Sequence, residues 1–226
     1  ARSRRVPLQH ITGEQEFMGL SFHVNEDVLI PRQDTEILVE TALELLDREK
    51  DVFQRERGTI RLLDLCTGSG CILLSVLHYA KCRMEGTGSD LSTRALTVAE
   101  GNAQRLGIAA EFIESDLFND ISGRFSMILS NPPYIRSSEI AGLQDEVRLY
   151  DPIEALDGRA DGLYFYRRII AESPAYLEDG GYLLFEIGHD QAADVTEMLR
   201  RQGFDEIRVK KDLAGLDRVV YGRYIK

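Results

Sequence analysis

Cysteine is scarce in this chain of 226 residues, and the three present, Cys66, Cys71 and Cys82, are odd in number and form no C-x-x-C pair. That excludes a disulfide framework and leaves no zinc-type cluster, so no metal site is expected and a reducing cytoplasm is the expected setting. Apolar runs are short. None approaches the ~18 residues that announce a membrane span, and the basic start, Ala1 to Arg5, leads into no apolar stretch of the kind a secretory signal needs. Basic residues are outnumbered, 27 Lys and Arg against 38 Asp and Glu, for a net charge of -11. Binding driven by phosphate neutralisation needs the opposite balance, so broad nucleic-acid binding is disfavoured and a basic protein partner suits the surface better. No internal repeat or low-complexity tract is visible. A polar start without an initiator methionine suggests a piece of a longer chain.

With 43% hydrophobic residues the chain can bury a substantial core in one large α/β domain. Residues 1–30 read as turns and short β segments, punctuated at Thr12-Gly13 and Met18-Gly19, with Phe22 and Val24 alternating with polar neighbours. A helix is expected over about 34–49, with Asp34 and Glu36 in its first turn. From Thr59 strands alternate with helices, the signature of a parallel sheet covered on both faces. Strands are read at Ile60 to Leu65, Arg83 to Asp90, Glu111 to Glu114, Phe125 to Ser130 and Tyr182 to Ile187. Helices are read at Gly70 to Ala80, after Ser92 as far as Gly107, and at Leu163 to Leu177. A long insert, Ile135 to Gly162, precedes the last of these, and a helix near residues 190–202 and two strands, near 205–211 and 217–225, close the chain.

Two places carry chemistry. Asp64-Leu65-Cys66-Thr67-Gly68-Ser69-Gly70 follows a strand and opens a helix, so its backbone amides can meet a ligand lying over the strand end. Asp90 ends the second strand about twenty residues after the glycines, where a carboxylate can accept both hydroxyls of a ribose; Asp116 ends the third, within reach of an adenine amino group. A dinucleotide fingerprint would place a third glycine at position 73, which is Leu73, and the loop has no P-loop lysine. An adenosine ligand without phosphates fits best.

The second place is Asn131-Pro132-Pro133-Tyr134, directly after the fourth strand. Prolines lack an N–H and have a fixed φ, so this rigid turn keeps carbonyls free to accept hydrogen bonds. If the Asn131 side-chain oxygen and the Pro132 carbonyl each accept one N–H, they orient a planar amide nitrogen toward a methyl sulfonium, and Tyr134 can stack on the flat group. Loop and turn together point to S-adenosylmethionine and an amino acceptor. A glutamine amide and the exocyclic amine of adenine present the same two N–H groups, and the turn alone does not separate them.

The residues resemble the protein-(glutamine-N5) methyltransferases of the HemK/PrmC type, over nearly the whole chain. Beyond the loop and the turn, the likeness includes Pro7 to Gly13 with Glu16-Phe17, Leu29-Ile30-Pro31-Arg32 with Thr35-Glu36, and Tyr150-Asp151-Pro152. It continues through Ala155 to Gly158, Asp161-Gly162-Leu163, Glu186-Ile187-Gly188 with Gln191, and Asp217 to Val220. The resemblance implies a Rossmann-like class I methyltransferase fold: a seven-stranded, mostly parallel sheet with helices on both faces, preceded by a short β-hairpin. It also implies two regions. Residues 1–30 would form a hairpin and linker from an absent N-terminal helical domain, and 31–226 the methyltransferase domain.

For the site, the resemblance implies cofactor contacts from Asp64, Cys66, Thr67, Gly68, Ser69, Gly70, Asp90, Asp116, Leu117 and Asn131. The substrate glutamine would lie against Asn131, Pro132, Pro133 and Tyr134, with Asn131, Pro132 and Tyr134 catalytic and Arg32 and Thr35 nearby. That glutamine belongs to the Gly-Gly-Gln loop of peptide chain release factors, the implied partner; the nearest alternatives are a ribosomal-protein glutamine and adenine-N6. Cys66 stands where the family usually has glycine, Leu117 where relatives can be aromatic, and Asp151 where glutamate is more usual.

Overall fold

A computed structural model describes residues 6–226, with the backbone alone over 50–57; the basic Ala1 to Arg5 stretch lies outside it. Chain order runs through a one-turn helix α1 (Leu8–Thr12) and a hairpin of β1 (Glu14–Phe17) and β2 (Leu20–His23) to the long helix α2 (Glu36–Arg57). Alternation follows: β3 (Ile60–Leu65), α3 (Cys71–Tyr79), β4 (Met84–Asp90), α4 (Thr93–Leu106), β5 (Glu111–Glu114) and β6 (Phe125–Ser130). Short helices α5 (Asp145–Arg148) and α6 (Ile153–Leu156) interrupt the insert. Then come α7 (Tyr164–Glu172), β7 (Leu177–Glu186), α8 (Ala192–Arg201), β8 (Phe204–Lys211) and β9 (Asp217–Tyr224).

The sheet has seven strands in the order β5-β4-β3-β6-β7-β9-β8, parallel except where β9 runs against β7 and β8. Strand periodicity of two builds both faces of the core. Leu62, Met127, Leu129, Tyr182 and Leu184 point to the side covered by α2 and α3. Their neighbours Leu63, Ile128, Leu183 and Phe185 point to the side covered by α7 and α8. The mostly parallel seven-stranded architecture with a preceding hairpin is the one the resemblance implies. No helix among the described residues is long and apolar enough to cross a membrane.

Three boundaries differ from expectation. Helix α1 was not read, because a single turn with no buried residue leaves no apolar periodicity; Gly13, at φ 76°, ends it. Helix α2 runs to Arg57 rather than 49. Its apolar stripe stops at Leu46, and the remaining turns carry too few apolar positions to show a period. Helix α7 stops at Glu172 because Pro174 cannot donate to an α-helical ladder; a 3-10 turn over Ser173–Ala175 follows and β7 starts at Leu177.

Phe17 and Phe22 pack the hairpin into the core, and one buried polar side chain ties its second strand to α4. Asn102 of α4, fully buried, accepts from the His23 amide (2.7 Å) and donates to the His23 carbonyl (3.1 Å), completing β2 as a further strand would. The same Nδ2 donates to the Ser69 carbonyl (2.9 Å), inside the glycine-rich loop. Each buried polar group left unpaired costs roughly 1–3 kcal/mol, so Asn102→Ala should lower the unfolding free energy by about 2 kcal/mol or more. Urea denaturation checks this, and a loss below about 0.5 kcal/mol would mean that water replaces the side chain without penalty.

Candidate functional site

Strand order reverses between β3 and β6, and in an open parallel sheet the crevice at such a point is where ligands bind. A cavity of about 330 Å³ lies there. Its walls include Cys66 to Ser69 from the loop after β3, Asp90 from β4, Ser115 to Leu117 after β5, and Asn131 and Pro133 after β6.

The loop is held by bonds that extend the sheet past its strand ends. The Thr67 amide donates to the Ser89 carbonyl (2.9 Å), and the Gly68 amide to Asp90 Oδ2 (3.0 Å). Asp90 Oδ1 accepts from the Ser92 amide (3.0 Å), and the Asp90 carbonyl from the Ser115 amide (3.0 Å). Each Asp90 oxygen therefore keeps a lone pair for a ligand hydroxyl. Burial raises the Asp90 pKa, opposed by backbone amides of Ser92 and Gly68. Gly70, at φ 79°, starts α3; a Cβ there would press on Ala99 and Leu74, each at 3.2 Å.

Of the five side-chain-bearing residues in left-handed backbone among the described residues, two lie in the loops that face the cavity. Cys66 and Leu117 adopt φ of 60° and 55°, the left-handed region that costs a side-chain-bearing residue about 1–2 kcal/mol. Both line the cavity. Such outliers persist only where the surroundings over-determine them, as they do in binding loops.

Of the residues anticipated for the site, Arg32, Thr35, Cys66, Thr67, Gly68, Ser69, Asp90, Asp116, Leu117, Asn131 and Pro133 all line the cavity. Asp64, Gly70, Pro132 and Tyr134 do not. Asp64 is fully buried beneath the loop, where it accepts from the Thr67 hydroxyl (2.6 Å); burial pushes its pKa up to about 7. Through this bond it shapes the loop from below. Tyr134 packs against the α7–α8 side of the core, its pKa raised chiefly by burial and next by the neighbouring Glu186 carboxylate. The aromatic side chain in the cavity wall is Phe165.

Three features escaped sequence reasoning. Glu26 to Leu29, inside the segment read as a linker, form one wall, and their irregular backbone left no periodic signal. Arg168 of α7 pairs with Asp116 Oδ1 (2.8 Å) and leaves Oδ2 for a ligand; one arginine on a helix is indistinguishable in sequence from a solvated one. Arg32 pairs with Asp151 (2.7 Å), whose side chain is buried, so the segments around Pro31 and Tyr150 meet over the mouth beside Pro152 and Ala155. The pair spans 119 positions, which no local pattern could reveal.

Replacing Cys66 by glycine removes a left-handed penalty at the cost of backbone entropy and a small apolar contact, so Cys66→Gly should raise stability by roughly 0.5–1 kcal/mol. Thermal unfolding with and without the substitution checks it; a loss of about 1 kcal/mol would show that thiol packing outweighs the strain.

The family model described as "Methyltransferase small domain" matches residues 42–145. The release factor glutamine methyltransferase of Clostridium acetobutylicum is 43% identical over 224 residues, which is 97% of this chain and 75% of that protein. Its counterpart from Geobacter sulfurreducens is 43% identical over 223 residues, 98% of this chain and 75% of that protein. The solved protein-(glutamine-N5) methyltransferase (release factor-specific) of Alicyclobacillus acidocaldarius superposes with a TM-score of 0.51 at 31% identity, covering 91% of this chain and 100% of that one.

Proposed function

The chain belongs to the release factor glutamine methyltransferase family, and from that premise we propose that it transfers a methyl group from S-adenosylmethionine to the N5 side-chain amide of the release-factor Gly-Gly-Gln glutamine. The observation that carries the reading is the place of Asn131-Pro132-Pro133-Tyr134: it leaves β6 at the switch point, so that Asn131 and Pro133 share one cavity with Asp90 and the strained loop.

The residues present fit the cofactor. Asp90 keeps acceptor capacity that would serve the two ribose hydroxyls, Asp116 Oδ2 would accept from the adenine amine, and Leu117 would supply apolar surface for the ring. The cavity wall carries Glu26, Asp27, Asp90, Asp116 and Glu154 against Arg32 and Arg94, a net acidic setting suited to a sulfonium cation. When bound, the cofactor supplies an electrophilic methyl group.

An amide nitrogen is a weak nucleophile because its lone pair is delocalised. With one N–H on the Asn131 side-chain oxygen and the other on the Pro132 carbonyl, the nitrogen is held in line with the methyl group and its pyramidalisation is favoured. In that arrangement the C–N bond would form as the S–C bond breaks, with the electron pair of that bond staying on sulfur and the amide proton passing afterwards to solvent water. Orientation of this kind can supply up to ~7–11 kcal/mol, against ~3–5 kcal/mol from a positioned general base, so positioning dominates. Tyr134, set behind the turn, acts by anchoring its end; the flat face available to the substrate or the cofactor is Phe165.

Mass spectrometry of a release factor incubated with the chain and cofactor tests the proposal. One added methyl on the Gly-Gly-Gln glutamine is expected, and Asn131→Ala should slow transfer by roughly 10²-fold or more while changing cofactor affinity much less. Transfer elsewhere, or none, would refute the substrate; near wild-type transfer by the variant would refute the acceptor turn.

A further inference from the structure

The acceptor turn has to be fixed at both ends if its carbonyls are to aim at one nitrogen. Its Asn131 end continues β6, where the Ser130 hydroxyl donates to the Leu65 carbonyl (2.8 Å) and the strand is bonded on both sides. Proline supplies no amide at 132 or 133, so these two positions of the turn donate no backbone hydrogen bond that would pin its other end.

That end is held by a side chain from another element. Gln191 caps the start of α8 and is almost completely buried. Its Nε2 donates to the Tyr134 carbonyl (3.0 Å) and to the Gly162 carbonyl (3.2 Å), and its Oε1 accepts from the Gly188 amide (2.9 Å). Both donors and one of the two lone pairs of the amide are used, so the side chain has one orientation. The surrounding backbone is shaped to admit this contact. A Cβ on Gly162 would run into the Tyr134 carbonyl oxygen and approach Gln191 Nε2, and one on Gly158 would lie 2.7 Å from Tyr134 Cα. Downstream, the Ile135 amide donates to Leu156 (3.0 Å) and the Gly158 amide to Ile135 (2.8 Å), which stitches the insert onto the turn.

We propose that Gln191 is a positioning residue for methyl transfer: by fixing the Tyr134 carbonyl it sets the direction of the Pro132 carbonyl and of Asn131. Gln191 does not line the cavity, so its effect on transfer would pass through the turn. The inference rests on the acceptor-turn reading above, and assigns the residue that makes the turn rigid. It also explains the two glycines, whose missing side chains leave room for the bonded carbonyl.

Gln191→Leu and Gln191→Glu remove both donors at nearly constant size, and Gly162→Ala pushes on the same carbonyl from the other side. For each, kcat for release-factor methylation, cofactor affinity by calorimetry, and amide exchange over 131–136 are measured. Leu199→Ala, a core truncation in α8, gives the effect of lost stability alone. Expected are a kcat reduced about tenfold or more, cofactor Kd within about threefold, and exchange over 131–136 faster by about tenfold, while Leu199→Ala at matched loss of Tm keeps its kcat. Unchanged exchange, or faster exchange with kcat within about twofold, overturns the inference. So does an equal kcat loss in Leu199→Ala. If the unsubstituted chain fails to methylate the release factor, the functional reading falls, and the exchange measurement still decides whether Gln191 holds the turn. Should one glutamine variant not fold, Gly162→Ala answers the same question.

Discussion

Hydrogen bonding past the ends of the parallel strands is the constraint on which the rest of this structure depends. The amides of Thr67 and Ser115 continue the ladder onto Ser89 and Asp90, and the Gly68 amide closes on the Asp90 carboxylate. Parallel strands all finish at one edge of the sheet, but without these bonds their loops would be independent. Linked, the loops after β3, β4 and β5 form one wall. The same backbone bonds that shape the wall also occupy one lone pair on each Asp90 oxygen, so the carboxylate arrives already aimed.

Rigidity of this kind is stored against local costs. Cys66 and Leu117 sit in left-handed backbone, and Asp64 and Glu186 are buried carboxyls whose pKa values burial raises to about 7. Each of these raises the free energy of the folded state, and all four lie in the loops and strand ends around one cavity. The core on either side of the sheet offsets them: Leu62, Leu184, Phe185 and Tyr166 are fully buried, and a large apolar side chain buried in full contributes about 1.5–3 kcal/mol. Stability from the two packed faces thus supports strain at the one edge that carries chemistry.

Much of this was legible in the sequence because it is local. The short apolar runs of Ile60 to Leu65 and of Phe125 to Ser130, the glycines at 68 and 70, and the double proline each act within a few residues. They fixed the sheet, the loop and the turn in advance. What was not legible is long-range. Asn102 reaches 79 positions back to His23 and 33 to Ser69; Gln191 reaches 57 back to Tyr134; Arg168 reaches 52 to Asp116. Each is an ordinary polar residue on or next to a helix, and only the fold shows that it is buried against a backbone carbonyl or paired with a loop carboxylate. The place of the Tyr134 ring is likewise set by long-range packing. Its place in the tetrapeptide suggested a stacking ring, whereas the packing of α7 and α8 draws the ring into the core side and leaves Phe165 at the cavity.

The central claim is geometric: one glutamine nitrogen, held by two acceptors of the turn, faces the methyl donor. A crystal structure of the chain with S-adenosylhomocysteine and a Gly-Gly-Gln peptide tests it directly. The account predicts the glutamine amide nitrogen within hydrogen-bonding distance of both the Asn131 side-chain oxygen and the Pro132 carbonyl, and in line with the cofactor sulfur. An amide turned away from the turn, or one bonded only through its carbonyl oxygen, would contradict it.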